Sequence, residues 1–140
     1  MNQKILFIGN PSIHNLFREI LIQEGYDSQF AKTDEVGIGF LSAGEYKVAI
    51  LDPHVYSSYG ECSIGEGSDR ENIAERHRNL REITLAGEVP LVIFSAFSKD
   101  SLESSLGFTH PKDYDYLLQM PEDPDTIIET IKNAEIQYQE

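Results

Sequence analysis

The sequence is short of cysteine, of basic side chains and of long apolar runs, and each shortage excludes something. Its single cysteine, Cys62, has no internal partner, so no disulfide framework staples the fold; such usage fits a reducing compartment. Eleven Lys and Arg stand against 24 Asp and Glu, a net charge of −13. Binding to a nucleic-acid backbone depends on clustered Lys and Arg, so that class of partner is excluded. The only basic cluster is Arg70, Arg76, Arg78 and Arg81 with His77 among them. It is interleaved with Glu71, Glu75 and Glu82, a pattern that predicts a solvated helix face laced by i,i+4 pairs. No window is long and apolar enough to span a bilayer. Met1-Asn2-Gln3-Lys4 runs into a strand-like segment without an apolar signal region. The expectation is a cytoplasmic protein with no membrane partner.

What is present suits one globular domain over residues 1–140, with 40% hydrophobic and 10% aromatic residues and no repeat or linker. Lys4-Ile5-Leu6-Phe7-Ile8, Tyr46-Lys47-Val48-Ala49-Ile50-Leu51-Asp52 and Val89-Pro90-Leu91-Val92-Ile93-Phe94-Ser95, the last with a proline permitted at its start, are short, largely apolar runs, the mark of strands buried on both faces of a parallel sheet. Tyr26 to Ala31 is a more polar strand near an edge, and Tyr114 to Leu118 a last short one. Between them lie helical patterns. Asn10 caps the first and Pro11 suits its first turn; Ile13, Leu16, Phe17, Ile20 and Leu21 follow up to Gly25. Thr33-Asp34-Glu35 opens the second, with Val36, Ile38, Phe40 and Leu41 inward and Gly37 and Gly39 weakening it. Asp69 opens the third, with Ile73, Leu80 and Ile83 on its apolar side. Lys99 to Leu106 forms the fourth. Asp125 caps the fifth, whose stripe is Ile127, Ile128, Ile131, Ala134 and Ile136. Five β-α units joined by right-handed crossovers predict a single doubly wound, flavodoxin-like, five-stranded parallel sheet in the order 2-1-3-4-5.

The chain is organised around Asp52. It stands at the carboxyl end of a central strand, the edge where open α/β sheets hold their sites, and Pro53 ends the ladder because it has no N–H to give. The stretch His54 to Ser68 is rich in Tyr, Ser and Gly and has no apolar period. At about 54–68 it is longer than ordinary α/β connections, and is either a recognition element beside Asp52 or an insertion. His14, His54, His77 and His110, with Cys62, lack paired metal-ligand spacing and read as surface or cap residues. Gly60, Gly65 and Gly67 lack the Lys-Ser/Thr of a phosphate loop.

With the strands placed, the chain resembles a CheY-like response-regulator receiver domain over nearly its whole length. The resemblance rests on the order and spacing of Lys4–Ile8, Val48–Asp52, Val92–Ala96 and Asp115–Leu118. It implies that Asp52 holds the phosphoacceptor position, that Ser95 is the hydroxyl residue that bonds the phosphoryl group, and that Tyr116 is the switch aromatic. Ser95 also suits a cap for the next helix, and Tyr116 a half-buried strand aromatic. The chain departs from the family elsewhere. Gly9 and Asn10 stand where an acidic pair holds Mg²⁺, and Gln119 or Met120, depending on the direction of counting, where a lysine precedes proline. The motif Asp52-Pro53-His54 also resembles the Asp-x-His of cobalamin-binding domains. It follows the wrong strand for that family, and Ser57 replaces the required glycine.

These departures predict a degenerate receiver, a pseudo-receiver of two-component phosphorelay signalling, that binds protein and is weakly phosphorylated or not at all at Asp52. No enzymatic activity, catalytic residue, metal ligand or cofactor is expected, and Mg²⁺ is doubtful. A basic group would have to reach Asp52 from elsewhere, and Lys99 and His54 are the candidates. The expected partner face combines Lys99 to Leu106, Tyr114 to Leu118 and Asp125 to Tyr138, with the Tyr-rich 54–68 loop as a second surface. A histidine kinase and a second copy of the chain are the partners the resemblance allows. The alternatives are a working phosphoacceptor with other ligands, and a flavodoxin-like domain binding a small molecule where Gly9, Asn10, Pro11 and Ser12 line the switch-point crevice.

Overall fold

The computed structural model describes residues 4–56, 69–96, 98–119 and 123–136. Strands β1 (Lys4–Ile8), β2 (Asp27–Ala31), β3 (Val48–Leu51), β4 (Leu91–Ser95) and β5 (Tyr116–Gln119) form one parallel sheet in the order β2-β1-β3-β4-β5, as the sequence predicts. Helices α1 (Pro11–Gln23), α2 (Asp34–Ala43), α3 (Asp69–Ala86), α4 (Lys99–Leu106) and α5 (Pro124–Glu135) alternate with the strands. A 3₁₀ turn over Pro53–Tyr56 follows β3, so the predicted 54–68 loop begins with ordered backbone; positions 57–68 lie outside the described residues.

The apolar runs are continuous because both faces of the sheet are covered. Leu6, Ile8, Ala49, Leu51, Leu91 and Ile93 pack with residues of α3 and α4, and with half-buried Ile38, Phe40 and Leu41 of α2. Ile5, Phe7, Val48, Ile50, Val92 and Phe94 pack under α1 and α5 through Phe17, Leu21, Ile127 and Ile131. Gly37 is what lets α2 approach β1: a Cβ there would lie 2.6 Å from Ile8 Cδ1.

Several expectations about the helices are corrected. The cap of α5 is Asp123, not Asp125. Its carboxylate accepts from the Thr126 N–H at 2.7 Å, and Pro124 takes the first helical position that its missing N–H suits. Leu16, Val36 and Ile136 are exposed rather than inward.

The largest correction concerns α3. Its charges do not all face water, and His77 is neither a surface nor a cap residue. Position 77 falls on the same stripe as Ile73 and Leu80, so the imidazole is buried, stacked on Phe108 at 4.1 Å between centroids. Its Nδ1 accepts from the Tyr56 hydroxyl and its Nε2–H donates to the Asp113 carbonyl, each at 2.7 Å. Arg81 is buried too and pairs with Asp115, while Arg76 reaches Asp34 at the start of α2, Nε to Oδ2 at 3.1 Å. His77 and Arg81 occupy core positions here because their polar groups find hydrogen-bond partners.

Candidate functional site

The carboxyl edge of the sheet brings Gly9, Asn10, Lys32, Asp52 and His54 around one crevice of about 430 Å³. Asp52 takes its place there by extending the ladder one residue past β3: its N–H donates to the Ile8 carbonyl at 2.9 Å. Its side chain is buried. The backbone N–H of His54 donates to Asp52 Oδ1 at 3.0 Å, closing an Asx turn of the kind Asp favours before a tight bend. The His54 ring then reaches the same oxygen, Nδ1–H to Oδ1 at 2.9 Å. That hydrogen bond, opposed by partial burial, raises the His54 pKa above its ordinary value. Of the two basic groups expected to reach Asp52, His54 does so; Lys99 is exposed in the first turn of α4.

Gly9 and Asn10 line the crevice, as their place after β1 requires. Gly9 lies tight against Asp52: an added Cβ would stand 2.8 Å from Asp52 Cβ and 3.0 Å from Phe7 Cε1. The Asn10 side chain is turned to α1, where its Oδ1 accepts from the Ser12 N–H at 2.8 Å as the cap. Lys32 is a lining residue the sequence reading missed. The signal was available, because Lys32 directly follows β2 and so falls at the same sheet edge as Asp52.

Ser95 is buried at the end of β4 and does not cap α4; Ser98 does, accepting from the Ser101 N–H at 3.1 Å. The register pairs Leu51 with Ile93, which puts Asp52 level with Phe94 and Ser95 one residue beyond. Ser95 pairs in turn with Gln119. Met120, the other candidate for the lysine position, lies outside the described residues. Tyr116 is half-buried three residues before Gln119, opposite Val92, and its hydroxyl donates to the Asn133 carbonyl on α5 at 3.3 Å. It is therefore not gathered around Asp52.

The architecture matches solved structures closely in shape and distantly in sequence. A putative response regulator from Chloroflexus aurantiacus superposes with a TM-score of 0.73 at 14% identity, covering 98% of this chain and 100% of its own. The Vibrio cholerae chemotaxis protein CheY4 matches with a TM-score of 0.65 at 16% identity, covering 96% and 99%. The receiver domain of a Pseudomonas aeruginosa sensor histidine kinase, described with a magnesium ion coordinated in its active-site cleft, matches with a TM-score of 0.68 at 12% identity, covering 96% and 98%. The chain has the CheY-like receiver fold. No protein-family model matches the sequence, and no curated protein does.

In this receiver fold the donor set does not fit Mg²⁺. The ion demands near-octahedral oxygen ligands at about 2.0–2.1 Å and usually one or two carboxylates. Asp52 is the only carboxylate among the described lining residues, and its Oδ1 already accepts two hydrogen bonds from His54. The Asn10 amide oxygen is turned to the positive end of α1, Gly9 has no room for a side chain, and Lys32 adds a like charge. Among the described residues no group of three or more His, Cys, Asp or Glu could hold a metal ion. Likewise no described helix is long and apolar enough to cross a membrane.

Proposed function

We propose that this receiver fold serves two-component-type signalling as an atypical receiver, an interaction module whose Asp52 is phosphorylated slowly or not at all. The observation that carries the reading is the Asp52–His54 contact within a crevice that offers no second carboxylate among its described lining residues. Phosphoryl transfer depends on positioning and on neutralising charge on the transferred oxygens. Asp52 and Ser95 supply the acceptor position and a hydroxyl at the rim. Neither the acidic pair nor the lysine is there to bring the cations.

The partner face we assign is α4, β5 and α5. It is supported by β5, an edge strand that carries half-buried Tyr116 and Leu117 and exposed Gln119 between the two helices. A histidine kinase and a second copy of the chain are the partners to be tried against it. The test is a titration with beryllofluoride and Mg²⁺ followed by amide resonances. We expect no saturable change at Ser95 or Tyr116. Saturation at sub-millimolar Mg²⁺ with shifts at both would establish a working phosphoacceptor and overturn the reading.

A further inference from the structure

His54 does more than sit near Asp52. Its two N–H groups converge on one carboxylate oxygen, at 3.0 Å from the backbone and 2.9 Å from the ring. The backbone half of this clasp belongs to the turn and cannot leave without unwinding it. That turn is held from the other side as well. Arg76 donates to the Val55 carbonyl at 3.2 Å and to the Tyr56 carbonyl at 3.0 Å, and Tyr56 is itself hydrogen-bonded to buried His77. The imidazole half is different, because the His54 side chain is 50% exposed while the carboxylate it covers is 4% exposed.

We propose that His54 is a gate residue, an occupant supplied by the chain itself that holds the Asp52 carboxylate and closes the site to divalent cations and to the phosphoryl donors they accompany. The inference rests on the reading of Asp52 as the phosphoacceptor position, and it adds the His54 ring to the features that set the site against metal. A cation that coordinates Oδ1 directly must displace the ring from it. A ligand that must displace a hydrogen bond made to a charged group is weakened about tenfold. The missing acidic pair alone would leave the carboxylate merely short of help; the imidazole makes it occupied.

The test is a Mg²⁺ titration, followed by amide resonances at the rim, on the full chain and on His54→Ala, Asn10→Asp and the double variant. Asn10→Asp supplies a second carboxylate, one oxygen of which can keep the cap on the Ser12 N–H while the other, where Asn has its NH₂ group, is offered to a cation. Gly9 offers no such route, because any side chain there meets Asp52. Since His54 is half exposed, its removal leaves the core untouched, and thermal melts verify that each variant stays folded. The double variant is expected to bind Mg²⁺ about tenfold more tightly than Asn10→Asp alone. Equal binding by those two, or no binding by either, overturns the gate while leaving the atypical-receiver reading in place. Sub-millimolar binding by the unmodified chain has a different signature and overturns that reading itself.

Discussion

Arg81 grips Asp115 through both terminal nitrogens, Nη1 to Oδ2 at 2.9 Å and Nη2 to Oδ1 at 3.0 Å, with both side chains buried. Both groups make further hydrogen bonds. Asp115 Oδ2 accepts from the Leu91 N–H at 2.8 Å, and Arg81 donates to the Lys112 and Pro111 carbonyls at 3.1 Å each. The pair locks α3 to the segment that leads into β5. Removing one partner of such a pair leaves a buried charge without compensation, which costs about 3–5 kcal/mol. Arg81→Ala is expected to lose that much in urea unfolding, and Arg81→Leu with Asp115→Leu together less than the sum of the two single changes. Additive losses would show that the two groups are not coupled.

Stability should fall in mild acid because of His77. Burial holds its pKa at about 4, below the 6.5 of an unperturbed imidazole. The unfolded chain therefore takes up the proton first as pH falls. The stabilisation is complete above pH 6.5 and is lost between there and pH 4, by up to about 3 kcal/mol. His54 runs the other way: its pKa is raised, so its contribution is present below 6.5 and fades as pH rises through the folded value. Being half exposed, it cannot offset the His77 effect. Urea midpoints across this range should drop toward acid, and His77→Gln should flatten the profile. An unchanged slope in that variant would assign the effect to other groups.

The two glycines of α2 should respond oppositely to alanine. A Cβ at Gly37 collides with Ile8 Cδ1 at 2.6 Å and Cγ1 at 2.9 Å, so Gly37→Ala must displace the buried Ile8 side chain or push α2 off β1, and is expected to lower the melting temperature. A Cβ at Gly39 meets nothing within 4 Å, so Gly39→Ala should raise stability by about 1 kcal/mol through helix propensity alone. Equal responses would contradict the packing described.

Tyr56→Phe isolates the polar link between the turn after Asp52 and α3. It leaves His77 Nδ1 buried without its 2.7 Å donor, at a cost of about 1–3 kcal/mol. The ring contacts with His77 and Phe108 remain, so the loss should appear in stability without a change of secondary structure by circular dichroism.

The sheet was legible in the sequence because two-sided burial leaves an unbroken apolar run, which β1, β3 and β4 show plainly. The start of α1 was legible because Asn10 and Pro11 are local signals. The cap of α5 was misplaced by two residues, since Asp123 and Asp125 flank the same proline and only the backbone says which carboxylate meets the Thr126 N–H. The buried face of α3 was hidden for a deeper reason. His77 and Arg81 are charged or polar by type, and the groups that satisfy them, Tyr56, Asp113 and Asp115, lie more than 20 residues away along the chain. Periodicity cannot register a core position filled by a partnered histidine. At the site, Asp52 and Asn10 were placed by the strand-end rule. His54 was named only as a nearby base, and its contact with Asp52 needed the turn geometry to emerge.

The most direct test of the central claim is covalent. The intact chain is incubated with acetyl phosphate and millimolar Mg²⁺, and its mass is followed over time, with Asp52→Asn as the reference. The chain should gain at most a slow, substoichiometric adduct over the reference. A stoichiometric phosphoryl adduct on the chain, absent from Asp52→Asn, would contradict it.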